Sequence, residues 1–185
     1  MRTAACLPDN SYTEIRLRRY RDALTISGAA VIAFSVWDVL KVYIGLFLGE
    51  KTLSDYFTDL LPKIRIPEGV PEETMQIVLW VVLLAGVIGV SIFILLYHLY
   101  IGLNAMQEGH RTVKKKKIVY LVCDVLSILS SATVLFQSIR VYFVGGEDAR
   151  QIGLATLLVE SASFLNYVYL FYVVLKIRIT ERSAS

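Results

Sequence analysis

"IVLWVVLLAGVIGVSIFILL", residues 77–96, is a run of twenty residues without a charged side chain. A helix of this length rises about 30 Å, which matches the hydrocarbon core of a bilayer. Backbone groups in that core must be satisfied by helices or by a closed barrel, and the run lacks the alternation of apolar and polar residues that barrel strands show. It therefore predicts a transmembrane helix.

Similar apolar stretches recur along the chain, and together they predict four transmembrane helices, at about 23–48, 75–103, 118–144 and 152–178. The 185 residues are 56% hydrophobic with a mean hydropathy of +0.58, above the roughly 45–50% apolar content of soluble domains. The predicted fold is an all-α integral membrane protein, an antiparallel bundle of four transmembrane helices. One transmembrane domain spans 23–182. A short basic cytoplasmic helix precedes it in residues 1–22, and a tail follows at 183–185.

Lysine and arginine are distributed unevenly between the two sides of the predicted spans. Five lie before helix 1, five between helices 2 and 3, and three at the end of helix 4 or after it, against four in the other two loops. Because loops rich in Lys and Arg stay in the cytoplasm, both termini are expected to be cytoplasmic. The expected location is the plasma membrane.

Two basic clusters are predicted to contact anionic lipid headgroups on the cytoplasmic side: Arg16, Arg18 and Arg19 before helix 1, and Lys114, Lys115, Lys116 and Lys117 between helices 2 and 3. One interpretation is a basic anchor that only fixes orientation; the other is an amphipathic segment that recognises anionic lipid. A nucleic-acid partner is not expected, since membrane orientation accounts for these charges.

The loop between helices 1 and 2 carries its own helical pattern. Its apolar residues recur at helical spacing from Leu53 to Leu61, Thr52 and Asp55 form a capping pair, and Pro62 ends the segment. These features predict a short amphipathic helix in the first outer loop. It is expected to lie on the outer interface or over the bundle, with docking of a partner or covering of a ligand entrance as the alternative.

Five charged residues lie at bilayer depth within the predicted spans, away from the span ends: Asp38, Lys41, Asp124, Arg140 and Glu160. A charge at bilayer depth costs at least about 2.5–3.5 kcal/mol, so such residues face the interior of a bundle, a hydrated cavity or a partner. Counted from the outer surface, all except Asp124 lie in one layer roughly 8 Å thick. One interpretation is structural: Asp38 with Lys41, and Glu160 with Arg140, neutralise each other and fix the helix register.

The other interpretation is functional and centres on Asp124, which has no obvious cation in the predicted helices. Polar residues at helical spacing surround it on helix 3, and helix 4 carries a similar stripe that includes Glu160. The predicted ion- or ligand-binding residues are Asp124, Glu160, Ser127 and Tyr120. They would line a polar seam between helices 1, 3 and 4.

Helix 2 is predicted to pack as a wall beside this seam. Ala85 and Gly89 form a small-xxx-small pair suited to close helix contact, and they are the expected interface of a homo-oligomer. His98, near the inner end of this helix, is expected to be an ordinary boundary residue.

The chain contains no catalytic or metal-binding motif, so it is expected to be non-catalytic, with no cofactor and no metal. The first hypothesis is a component of a transporter or channel that handles an ion or a small polar solute through the polar seam. The second is a membrane-embedded binding or assembly subunit with a purely structural seam. A homo-oligomer or a partner membrane subunit is expected in either case.

Overall fold

The computed structural model describes residues 9–48, 52–60, 63, 71–110, 118–144 and 147–183. These ranges form five helices: α1 (Asp9–Leu48), α2 (Leu53–Leu60), α3 (Glu72–Gly109), α4 (Val119–Val144) and α5 (Glu147–Ser183). All except α2 are long and apolar enough to cross a membrane. The described residues are therefore all-helical and contain four candidate membrane spans, α1, α3, α4 and α5, in the places predicted for helices 1 to 4.

The long helices extend beyond the predicted spans. The first begins at Asp9 and continues through residues 22 and 23 without a break, so it joins the predicted cytoplasmic helix and the first span into 40 residues. Its length is about 60 Å, roughly twice the hydrocarbon thickness. Likewise α3 continues to Gly109, past the predicted end at residue 103. Hydropathy identifies only the apolar part of each helix, and polar turns continue the same helix at either end.

The chain divides into two compact units. Unit 1 consists of Met1–Ile32 and Leu99–Ser185, and unit 2 consists of Ala33–His98. Among the described residues, unit 1 contains the first part of α1, the last part of α3, and all of α4 and α5. Unit 2 contains the last part of α1, α2 and the first part of α3.

Unit 1 has a closely packed apolar core to which all four of its helical segments contribute. Its apolar side chains with no exposed surface are Leu24, Val31, Ile101, Ala105, Tyr120, Leu170, Val173 and Val174. The start of α1 lies beside the end of α5, because Arg21 contacts Glu181 at 2.7 Å. The start of α4 lies beside the end of α3, because Tyr120 bonds Glu108.

Within unit 1, α1 and α3 approach most closely at two glycines. A Cβ atom on Gly102 would lie 2.6 Å from the carbonyl oxygen of Gly28, and one on Gly28 would lie 2.8 Å from that of Gly102. Gly109 repeats the arrangement two turns later, where a Cβ atom would lie 2.8 Å from the carbonyl oxygen of Arg21. Small residues let helix backbones approach in this way.

The small residues predicted to provide close helix contact are not the ones used inside the molecule. Ala85 is exposed, and a Cβ atom on Gly89 would meet nothing within 4 Å. Close packing uses Gly102 and Gly109 instead, seven residues apart on α3.

In unit 2, α2 is attached to α3 and has a well-formed start. The backbone N–H of Thr52 donates to the Asp55 carboxylate at 2.7 Å, and the Asp55 N–H donates back to the Thr52 hydroxyl at 3.4 Å. This reciprocal arrangement provides hydrogen-bond acceptors for backbone N–H groups that have no partner within the first turn of a helix. The Phe57 ring stacks on Trp80 with centroids 4.7 Å apart, which holds α2 against the first half of α3 in this unit.

Candidate functional site

Asp124 is the most unusual residue in unit 1. It lies five residues after the start of α4, has no exposed surface, and neither carboxylate oxygen has a hydrogen-bond partner among the described residues. An isolated buried carboxylate costs several kcal/mol because its hydration is lost without replacement. A proton, a bound cation or another donor at this position would remove that cost.

Buried polar residues occur at matching positions along α4 and α5, which pack against each other. α4 ends at Val144 and α5 begins at Glu147. Asp124 lies twenty residues before Val144, and Tyr167 lies twenty residues after Glu147, so the two residues are at the same level. Ser127 and Ser163 share the next level to within one residue, and Ser131 and Glu160 share the third. All six residues are at most 8% exposed. We call these six residues the α4–α5 seam; it extends about 10 Å along the helices.

The two helices contribute to the seam with the same spacing. On α4 the positions are i, i+3 and i+7 for Asp124, Ser127 and Ser131, and on α5 Glu160, Ser163 and Tyr167 repeat them. This spacing places three side chains on one helix face. Every polar atom of these side chains is an oxygen, so the seam offers the ligand chemistry that hard cations prefer.

Beside the level of Asp124, α1 is joined to α5 by a pair of polar side chains that bond each other. The Ser27 hydroxyl donates to Asn166 Oδ1 at 2.8 Å, and Asn166 Nδ2 donates to the Ser27 carbonyl at 3.2 Å. Asn166 precedes Tyr167 of the seam. Sequence reasoning missed this contact, although an asparagine within the apolar run of helix 4 was available as a signal.

Tyr120 was predicted to assist Asp124, but it bonds elsewhere. Its hydroxyl donates to Glu108 Oε2 at 2.5 Å, and Arg178 Nε and Nη2 lie 3.4 Å from the two oxygens of the same carboxylate. This cluster joins α3, α4 and α5. This cluster was not predicted, because helix 2 was expected to end at residue 103, which would have left Glu108 in a loop.

Arg140 does not accompany Glu160 into the interior. Glu160 is 2% exposed, whereas Arg140 is exposed and takes part in no ion pair among the residues that the structure describes. Arg140 lies nine residues after Ser131, and nine residues correspond to two and a half helical turns. Arg140 therefore lies on the face opposite the seam. No ion pair between Glu160 and Arg140 is seen among the described residues, and the neutralisation of Glu160 by Arg140 stays a prediction.

In unit 2, the charges of α1 form a cluster with His98. Lys41 Nζ lies 2.6 Å from Asp38 Oδ1, as expected from their spacing of three residues. His98 Nε2 lies 3.3 Å from Asp38 Oδ2. His98, expected to be a boundary residue, therefore also contacts a carboxylate on α1. Since Asp38 and Lys41 belong to unit 2 and Glu160 to unit 1, the single layer of charges stays a prediction.

The basic residues predicted to contact lipid are described only in part. Arg16, Arg18 and Arg19 are exposed on α1. The Arg16 guanidinium lies 5.7 Å from the ring centroid of Tyr12, a cation–π arrangement. The run Lys114, Lys115, Lys116 and Lys117 lies outside the described residues.

Over the described part of the chain, no group of three or more His, Cys, Asp or Glu side chains is placed to hold a metal ion. Comparisons with protein-family models, curated proteins and solved structures found no match. The functional argument therefore depends on the chemistry of the α4–α5 seam.

Proposed function

We propose that this chain is a non-catalytic membrane protein of the transport type, and that it binds a small cation at Asp124. The observation that carries the proposal is a carboxylate with no exposed surface and no hydrogen-bond partner among the described residues. Ionisable residues inside membrane helices are costly, and they commonly belong to ion pathways and proton relays. In the described part of the chain, Asp124 has no hydrogen-bond partner that would make it purely structural.

The rest of the seam supports a singly charged ligand. At the levels of Asp124 and Ser127 the seam offers one carboxylate and three hydroxyls, so one positive charge balances the site. A proton, Na⁺ or K⁺ meets this condition without further acidic residues. Ser131 and Glu160 continue the polar surface away from Asp124, and the Ser131 hydroxyl is likewise buried without a hydrogen-bond partner in the described residues.

The test is cation flux in proteoliposomes, followed with a pH-sensitive dye for protons and with radioactive Na⁺ and Rb⁺ for alkali cations. The wild type is expected to move at least one of these cations, and Asp124→Asn is expected to reduce that flux at least tenfold. The reason is that the amide keeps the shape of the side chain but removes its charge and its site for a proton. The yield of folded protein should change little, because Asp124 contributes no hydrogen bond or ion pair to the fold.

Ser130→Ala is the matched control, because Ser130 is exposed on the same helix and should leave the flux unchanged. A wild type that moves none of the three cations would overturn the transport proposal. Equal fluxes in the wild type and Asp124→Asn would exclude Asp124 as the binding residue.

A second candidate function, as an assembly subunit, is favoured by the exposure of α3. Of the residues in its most apolar 18-residue segment, only 6% are buried, whereas 28–33% are buried in the corresponding segments of the other three candidate spans. Cβ atoms on Gly86 and Gly89 would meet nothing within 4 Å. In the membrane, such a surface is covered by lipid or by another transmembrane helix, and small residues favour the latter.

Gly89→Leu tests the second candidate through the mass of the detergent-extracted protein. If the α3 surface forms an interface, the added side chain should separate the helices and reduce the mass to that of a smaller assembly. The fold should not change, because the position is open. Val90→Leu, at another exposed position of α3, is the control, and an unchanged mass for Gly89→Leu would remove this surface as the interface.

A further inference from the structure

The imidazole of His98 is held at both nitrogens. Nδ1 lies 2.8 Å from the carbonyl oxygen of Ile94, one turn earlier on α3, and Nε2 lies 3.3 Å from Asp38 Oδ2 on α1. Only 12% of the His98 side chain is exposed. The edge of the ring meets Tyr97 at a centroid distance of 5.4 Å. The ring orientation is therefore fixed by two oxygens on opposite sides.

These two contacts decide where hydrogen atoms must lie. A carbonyl oxygen only accepts hydrogen bonds, so Nδ1 must carry a hydrogen. A neutral imidazole has one N–H, so Nε2 would then present a lone pair to the Asp38 carboxylate, which also only accepts. The contact at Nε2 becomes attractive when one further proton lies between these two atoms, on either the ring or the carboxyl group.

The positive charge of Lys41 compensates the negative charge of Asp38 beside His98. Lys41 lies on the other carboxylate oxygen, Oδ1, so it does not compete for the position facing His98. With a neutral ring the three groups sum to zero charge, and with the extra proton they sum to +1. The acids of α2 are remote, because α2 contacts α3 at Trp80, eighteen residues or about 27 Å along the helix from His98.

We propose that Asp38 and His98 form a proton-binding site, in which one proton is held between His98 Nε2 and Asp38 Oδ2. Binding creates the hydrogen bond that joins α1 to α3 in unit 2, and loss of the proton places two acceptors against each other. The site is independent of Asp124 and does not rest on the proposed transport function.

The chain provides its own control, because it contains only two histidines. His110 Nδ1 lies 2.8 Å from the carbonyl oxygen of Met106, also one turn earlier. His110 is exposed and forms no ion pair among the described residues. The two rings therefore share the contact at Nδ1 and differ in the carboxylate at Nε2.

The test is ¹⁵N nuclear magnetic resonance of the full chain in lipid nanodiscs, with labelled histidine and with signals assigned through His110→Gln. The two histidines are compared at one pH, set about one unit above the pKa of an ordinary imidazole. At this pH the His98–Asp38 proton is expected to appear at His98 Nε2 in at least a fivefold larger fraction of molecules. Asp38→Asn should reduce this fraction to that of His110, whereas Lys41→Met should retain it.

A bare His98 Nε2 in the wild type, with the same population as in His110, would overturn the proposal. So would an Nε2 hydrogen that persists unchanged in Asp38→Asn. The wild-type comparison with His110 decides the question even if Asp38→Asn fails to fold.

Discussion

A Gly102→Ala substitution is expected to reduce the free energy of unfolding by about 1–3 kcal/mol, although alanine is the better helix former by about 1 kcal/mol. The new methyl group would lie 2.6 Å from both the Gly28 carbonyl oxygen and Ile32 Cγ1. The carbonyl is part of the α1 backbone, so it cannot turn aside as a flexible side chain would. The helices of unit 1 must therefore separate, which loosens the packing around both glycines.

Gly89→Ala is the matched control on the same helix, since its Cβ atom would meet nothing within 4 Å. It should leave stability unchanged or raise it by up to about 1 kcal/mol through helix propensity. Unfolding in mixed detergent micelles, followed by circular dichroism, measures both variants. Equal stabilities for the two variants would show that α1 and α3 do not approach each other closely at Gly28 and Gly102.

The number and approximate position of the candidate spans could be predicted because a membrane imposes a local requirement. About twenty consecutive apolar residues are needed, and this property is readable without knowing which helices touch. The helix ends were not predictable in the same way. Polar turns at Asp9–Asp22 and at Asn104–Gly109 continue α1 and α3, and hydropathy does not distinguish a polar helix from a polar loop.

The candidate site was predictable only where local spacing determines contact. Asp38 and Lys41 are three residues apart and form an ion pair, and Asp124 was recognisable as an acid without a cation in the predicted spans. Helical periodicity also indicated that Arg140 does not face the seam, because a residue nine positions after Ser131 lies on the opposite side of the helix. Depth alone placed Arg140 with Glu160, and depth does not specify a helix face.

Contacts between distant helices could not be derived from the sequence, because they depend on which faces meet. Ser27 bonds Asn166 across 139 positions, and Arg178 contacts Glu108 across 70. The face of α3 that meets α1 at Gly28 likewise depends on the fold. A glycine pair seven residues apart, such as Gly102 and Gly109, was the available signal for that face.

Glu108→Ala is expected to reduce the free energy of unfolding by about 2–4 kcal/mol, because one carboxylate serves two partners on two other helices. The substitution leaves the buried Tyr120 hydroxyl without its acceptor and removes the charge that faces Arg178. The Glu108 and Arg178 side chains are 14% and 20% exposed, so water compensates the ion pair only partly. Glu108→Gln should lose less, because the amide oxygen still accepts the tyrosine hydrogen bond.

A double-mutant cycle separates the hydrogen bond from the ion pair. Tyr120→Phe alone should cost about 1–2 kcal/mol, and in the Glu108→Ala background it should cost almost nothing, since the acceptor is already absent. Glu14→Ala, at an exposed glutamate of α1, is the control for loss of a negative charge. If the costs of Glu108→Ala and Tyr120→Phe simply add, the two residues do not bond. In that case the carboxylate would not join α3 to α4, and the arrangement of these helices would depend on apolar packing alone.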